Sequence, residues 1–522
     1  MARSRTEYVT INMGANMAMQ TVSSLMKMIL RFVFIRTLGA QYTGASTVFA
    51  DVLSMLSLAE LGIGSAISFA LYKPLKAGDN QRIAALMDFY KKAYRVVAGF
   101  VVLVGVILLP FLPYIIKDVP DITENISLVF ILFIIDSACS YLLVYKSTLF
   151  SAGQKRYVIS TTSIAFSIAR TAVQCVLLLV FKNYILYLVV GIAETLARNL
   201  VTSHLASRSY PEAMAIKGAR LDKSETKKLF KDVYALSLYK INTVILRSSD
   251  SMIMSAFLPG GVSSVGYLSV YRTLIATIEN FINQYYTAVL PGIGNLAADA
   301  TDQKQFSVFN SMLFISFWCN CFCVTSLFVL TSPFIQLIMG SEYVIATGVL
   351  IALLVDSYMV SMMRPVSTFR NANGLFVQGK YRPVATAVLD IAFTLALIKP
   401  LGVFGVVIST SLARLLTTFW FEPQLVFRNV FHVSVMQYVK RYSLYTGLTV
   451  LSCAVCFFLG EALEGAHPLV CFLYKMALCV IIPNGLIVLA FRKTPEFKEF
   501  LQRLKGLLKS GKAMLRRKGA TK

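Results

Sequence analysis

The residues best suited to chemistry are polar and charged side chains set at helical spacing within apolar sequence. In the first long apolar run, Asn12, Asn16, Gln20, Ser23, Lys27 and Arg31 follow one another in steps of three and four. Such steps place them on one face of a helix. Lys240, Thr243, Arg247, Asp250 and Ser251 form a second stripe, and Arg272, Glu279 and Asn283 a third. Ionisable groups at bilayer depth are costly, so they face protein or water and mark pathways. Cations dominate these stripes. A net-positive chamber shielded from bulk water attracts phosphate strongly, because Coulomb energy grows as the dielectric falls, and guanidinium forks match phosphate oxygens. Lys27, Arg31, Lys240, Arg247 and Arg272 are therefore the candidate substrate-binding set, with Asp250 and Glu279 as tuning groups or seats for a coupling cation. The competing reading is simple neutralisation of Arg247 by Asp250 and of Arg272 by Glu279.

The elements that position these stripes follow from composition. Of 522 residues, 57% are hydrophobic and 15% charged, and the mean hydropathy is +0.67. A soluble domain of this size is far more polar. Apolar runs of about 20 residues, enough to cross a hydrocarbon core of about 30 Å, recur from end to end. The expected fold is an all-α polytopic membrane protein with about fourteen transmembrane helices. They lie near 10–35, 42–70, 93–116, 124–148, 157–180, 184–204, 233–258, 263–290, 306–330, 344–368, 382–399, 401–427, 442–460 and 468–491. The first run is too long for a signal-peptide core, so it is expected to be a retained helix.

The net charge of +24 would suggest nucleic acid in a soluble protein. Here the basic residues sit between apolar runs, so no nucleic-acid partner is expected. Alternate connections are basic: Arg3 and Arg5, Lys73 to Arg95, Lys146 to Arg156, Arg208 to Lys231, Lys304, Arg364 to Arg382, Arg428 to Arg441 and the tail from Arg492. The opposite set is short and mixed, with Lys117 beside Asp118 and Asp121. The positive-inside rule then places both termini in the cytoplasm.

An internal repeat is also visible. Gly44-Ala45-Ser46-Thr47-Val48-Phe49 opens the second expected helix, and Gly266-Tyr267-Leu268-Ser269-Val270-Tyr271 opens the eighth. This fits two pseudo-symmetric six-helix lobes with two appended helices. The expected organisation is an N-lobe at 1–206, a cytoplasmic linker at 207–232, a C-lobe at 233–430, two further helices at 431–491 and a basic amphipathic tail at 492–522. Two segments are expected to lie in the membrane interface: one carrying Ile83, Leu86, Met87 and Tyr90, the other Phe497, Phe500, Leu501 and Leu504.

Other charges within spans are less decisive. Asp51 and Glu60 lie on nearly opposite faces of one helix, so both cannot line one cavity. Asp136, Arg170, Glu194, Arg198, Asp356, Asp390, Arg414 and Lys475 are expected mostly to pair between helices, with Arg198 and Lys475 able to snorkel. Cys319, Cys321 and Cys323 alternate at a spacing that splays side chains around a helix, and no metal is expected.

Several blocks resemble the Wzx-type polysaccharide flippases. They are Phe34-Ile35-Arg36-Thr37-Leu38-Gly39-Ala40-Gln41-Tyr42, Leu58-Ala59-Glu60-Leu61-Gly62-Ile63-Gly64, Tyr72-Lys73-Pro74-Leu75 and Arg414 through Pro423. The resemblance implies membership of the multidrug, oligosaccharidyl-lipid and polysaccharide exporter superfamily. It further implies two lobes rocking in alternating access around a cationic cavity. The implied substrate is an undecaprenyl-pyrophosphate-linked oligosaccharide for capsule, exopolysaccharide or O-antigen, carried without catalysis. The basic residues implied on the first, seventh and eighth helices are Arg31, Arg247 and Arg272. No cofactor is expected; a Na+ or H+ gradient or the membrane potential is the candidate driving force. Membrane lipids, a polysaccharide polymerase and a chain-length regulator are the partners to test. The alternatives are an ion-coupled multidrug exporter and, in another class, a membrane polymerase or glycosyltransferase, which the short outer connections disfavour.

Overall fold

A computed structural model describes residues 5–57, 63–116, 122–153, 155–216, 218–299, 301–375, 378–379, 381–463 and 467–501. It is 89% helical, and no strand occurs among the described residues. In chain order the helices are α1 (Arg5–Leu38), α2 (Ala40–Leu56), α3 (Ile63–Ala77), α4 (Asn80–Leu108), α5 (Leu112–Ile115), α6 (Ile126–Tyr141) and α7 (Ser147–Ala152). There follow α8 (Arg156–Phe181), α9 (Tyr184–Ser209), α10 (Pro211–Ala215), α11 (Lys223–Phe257), α12 (Gly261–Asp299) and α13 (Asp302–Met339). The last are α14 (Thr347–Met362), α15 (Arg364–Ala372), α16 (Arg382–Leu416), α17 (Thr418–Val426), α18 (Met436–Glu461) and α19 (Pro468–Phe491).

With no water inside a bilayer, helices satisfy their backbone groups internally and need caps only at their ends. The caps are local. Asn125 accepts from the amides of Ser127 and Leu128 to start α6, and Asn183 accepts from Leu186 to start α9. Turns fall where the backbone must be left-handed: Gly39 (φ 94°) separates α1 from α2. Gly402 (φ 57°) breaks α16 into two arms joined by the Thr394–Ser409 hydroxyl pair at 2.6 Å. Large apolar side chains such as Val96, Leu103 and Leu489 remain exposed, as lipid-facing residues do.

Ten stretches among the described residues are long and apolar enough to cross a membrane. The expected second, seventh and eighth spans do not meet that criterion, and the eleventh and twelfth share one stretch, Arg382–Phe431. The second is interrupted after Leu56, and α11 and α12 carry the polar stripes that lower their hydropathy. A multi-pass all-helical membrane protein therefore stands, and the count of fourteen does not follow from the structure.

Two compact units divide the chain. One holds residues 1–277 and 380–413, the other 278–379 and 414–522. In the first, the repeat-related glycines sit at a helix crossing: a Cβ on Gly44 would lie 1.8 Å from the Val262 carbonyl oxygen, and one on Gly266 2.1 Å from that of Ala40. Only glycine permits backbones to approach so closely. The segment with Ile83, Leu86, Met87 and Tyr90 is not a separate interfacial helix. It is the first part of α4, and these four side chains are buried in protein. α11 begins at Lys223, inside the segment expected as linker.

The second unit has an aromatic core. Phe309, Phe314 and Phe317 of α13 meet Phe369, Phe427, Phe431 and Tyr445, with Phe317 stacked on Tyr445 at 4.2 Å. Phe497 and Phe500, expected in the membrane interface, pack instead on Trp318 with centroids at 5.6 and 4.8 Å. Arg441 pairs with Glu496 at 2.7 Å, which fixes the start of the tail. Leu504 and the basic residues beyond it lie outside the described residues. Cys319 is exposed and Cys321 buried, so the alternating cysteines do splay as the spacing predicts.

Candidate substrate cavity

The polar stripe of α1 borders a chamber within the first unit. Ser23, Lys27 and Arg31, one turn apart, line a cavity of about 520 Å³. α8 supplies Ser163, Ser167, Arg170 and Thr171, and α9 supplies Tyr187, Glu194 and Arg198. Both sets recur at helical spacing, so each helix turns one polar face inward. A second cavity of about 350 Å³ shares Arg31, Ser46, Arg170 and Tyr187 with the first and adds Thr47, Asp51, Phe133 and Asp136.

The charges are unevenly spread. The larger chamber has Lys27, Arg31, Arg170 and Arg198 against Glu194 alone. In the smaller one Arg31 and Arg170 face Asp51 and Asp136. Arg31 donates from Nη2 to the Thr47 hydroxyl at 3.1 Å and forms no ion pair among the described residues. Glu194 receives Arg170 at 3.2 Å and Arg198 at 2.9 Å, one oxygen to each. Two guanidiniums on one carboxylate leave positive charge over. Arg170 is held further by Gln174 Oε1 at 3.1 Å, while Gln174 Nε2 donates to the Tyr187 carbonyl at 2.9 Å. Asp136 accepts from Thr195 at 2.9 Å, and Asp51 from Ser248 at 3.4 Å.

Of the expected set, Lys27 and Arg31 line the larger chamber together. Arg272 is paired with Asp250 at 2.6 Å, with the Asp250 side chain 2% exposed. The carboxylate that neutralises it is thus on α11, not Glu279 as the competing reading had it. Glu279 instead accepts from Ser357 at 2.6 Å. The side chains of Lys240 and Arg247 lie outside the described residues, as does Glu60. Pairing between helices, expected for the remaining charges, is found for Arg170 with Glu194 and for Arg414 with Asp356 at 2.9 Å, whereas Arg198 pairs with Glu194 within α9. The reading of the sequence missed that the first three also face the chamber. The signal was present: Ser163, Ser167, Arg170 and Gln174 form a stripe, and so do Tyr187, Gly191, Glu194 and Arg198.

Such an arrangement has the charge and donors needed to bind and orient an anion, and it offers hydroxyl and carboxylate partners beside the cations. Known proteins with the same fold are membrane carriers. The lipid II flippase MurJ in an inward closed conformation superposes with a TM-score of 0.62 at 13% identity, over 90% of this chain and 97% of that one. An inward-facing multidrug resistance MATE family transporter of the MOP superfamily gives 0.58 at 15%, over 78% and 94%. A mutant of the Vibrio cholerae MATE transporter VcmN gives 0.54 at 12%, over 82% and 99%. No curated protein matches the sequence significantly. The model of the family described as polysaccharide biosynthesis protein matches residues 9–297, which include every residue lining both chambers. With that match over more than half its length, and with the fold of MurJ and the MATE transporters, the chain belongs to the polysaccharide biosynthesis protein family.

Proposed function

We propose that this protein is a flippase that carries undecaprenyl-pyrophosphate-linked oligosaccharide units across the cytoplasmic membrane, for capsule, exopolysaccharide or O-antigen synthesis. The observation that supports this reading best is the larger chamber, where four cations face one carboxylate. Lys27 and Arg31 hold the diphosphate, joined by Arg170 and Arg198. Their charge offsets the loss of hydration that phosphate suffers away from bulk water. Arg31 has the freest fork, since its Thr47 contact is a neutral hydroxyl. Lys240 and Arg247 of α11 are proposed as further phosphate contacts. Arg272 is proposed to act with Asp250, which tunes its charge, and Glu279 is proposed as a tuning group or the seat of a coupling cation.

Transport proceeds by alternating access between the lobes at 1–206 and 233–430, driven by an ion gradient or the membrane potential. No bond is made or broken in this scheme; the work is binding, screening and release. The substrate chemistry is tested by export: Arg31→Ala in a well-expressed, membrane-inserted chain is expected to abolish surface polymer. Normal polymer in that strain would remove the reading. The likeness to MATE transporters favours one alternative, an ion-coupled multidrug exporter. Unchanged polymer together with drug sensitivity of a deletion strain would select it.

A further inference from the structure

Taking the larger chamber as the diphosphate seat, the smaller chamber has no occupant assigned to it. Its lining differs in kind. Asp51 and Asp136 balance Arg31 and Arg170, so it does not select an anion. Ser46, Thr47, two carboxylates and two guanidiniums instead present acceptors and donors side by side. Phe133 and Tyr187 add flat apolar surface. A neutral, hydroxyl-rich ring is the ligand that uses all of these together: its hydroxyls donate to carboxylates and accept from guanidiniums, and its C–H face lies on an aromatic ring.

We propose that the smaller chamber is the seat of the sugar attached to the diphosphate, with Asp51 and Asp136 accepting hydrogen bonds from its hydroxyls. This rests on the larger chamber being the diphosphate seat. Continuity is the first support. Arg31, Ser46, Arg170 and Tyr187 line both chambers, so a diphosphate held by the two guanidiniums has its ester-linked sugar next to it. Size is the second: about 350 Å³ lies at the lower end of small-molecule sites and suits one or two sugar rings. Available valence is the third. Asp136 uses Oδ1 for Thr195, and among the described residues Oδ2 makes no hydrogen bond, which leaves it to accept from a ligand. Hydroxyls bound to charged acceptors discriminate strongly against an analogue that lacks them, because the protein group is then left without a partner.

The test uses the full chain in lipid nanodiscs and three probes. They are bare undecaprenyl diphosphate, the same lipid bearing one hexose, and the same lipid bearing one N-acetylhexosamine. The quantity read is the ratio of affinities for sugar-bearing and bare lipid. For the native chain at least one ratio is expected to exceed roughly tenfold, about 1.4 kcal/mol. In Asp136→Leu and in Asp51→Asn it is expected to fall to below about threefold, with thermal melting confirming a folded chain. Loss of the ratio in Asp51→Asn alone would also support the seat, should Asp136→Leu fail to fold. A ratio near one in the native chain overturns the proposal, as does a ratio that survives both substitutions. Equal weakening of all three probes also overturns it and points to a cation seat or a structural role. Failure of bare undecaprenyl diphosphate to bind the native chain would overturn the diphosphate assignment itself, a result separate from the sugar ratio.

Discussion

The α-carbon of Gly191 stands against the guanidinium of Arg170, so that a Cβ there would come within 3.1 Å of Nη2. The missing side chain makes room for a cation at the chamber wall. Gly191→Ala is expected to push Arg170 by a few tenths of an ångström and weaken polymer export modestly. Gly191→Leu fills the space and is expected to reduce export about tenfold or more, and to cost about 1–3 kcal/mol of stability because the site is buried and already close-packed. Export assays on matched expression levels check this.

Arg31 and Arg272 are expected to part company under the same substitution. Arg31→Ala removes a cation that has no carboxylate partner among the described residues, so export is expected to fall and stability to hold. Arg272→Ala breaks the ion pair to Asp250, which is 2% exposed, and is expected to cost about 1–3 kcal/mol. A melting scan of the two purified variants separates the roles.

Glu194 holds two arginines side by side. Glu194→Gln leaves Arg170 and Arg198 in mutual repulsion, and a loss on the order of 2 kcal/mol is expected. The cost is below that of a fully buried pair because both arginines are 33% exposed. The variant chamber is more positive, so binding of bare lipid diphosphate is expected to tighten at low salt and to depend more steeply on salt. Titration at two ionic strengths reads the sign directly.

The tail divides into two parts with different expected effects. Removal of residues 502–522 leaves Phe497 and Phe500 on Trp318 and is expected to leave melting unchanged. Removal from residue 495 strips two aromatic rings from the core of the second unit and the Arg441–Glu496 pair. That truncation is expected to cost roughly 3 kcal/mol or more, seen as a lowered melting temperature.

What the sequence disclosed and withheld follows from range. Lys27 and Arg31 stand out because a charge within an apolar run is conspicuous by itself, and the structure puts both on one chamber wall. Glu194 looked like a pairing group, and it is one, yet nothing local says that its two arginines also face a cavity. That depends on α8 and α9 presenting their stripes to the same space as α1. Asp250 reads as the partner of Arg247 or as a coupling group because Arg247 is its near neighbour in sequence; that Arg272 of α12 reaches it is decided across helices. The segment at Ile83 read as interfacial because its period is amphipathic. The period is right, but its apolar face is covered by protein rather than lipid.

Gly44 and Gly266 illustrate a middle case, since their similarity as repeat mates was legible while their meeting was not. Either one replaced by Val is expected to be poorly tolerated, because the clash is with backbone carbonyls that cannot turn aside. Membrane yield and melting of Gly44→Ala, compared with Gly99→Ala, where nothing lies within 4 Å, check this.

At that crossing the main chains of Gly44 and Gly266 lie against the Val262 and Ala40 carbonyls, and a rigid backbone contact gives less than a side chain does. α2 carries Ser46, Thr47 and Asp51, and α12 carries Thr273, so displacement of one rod at the crossing is handed directly to groups that border the chambers. The two glycines thus make a stiff mechanical coupling, through which reorientation of α12 would reshape the chambers proposed to seat the cargo.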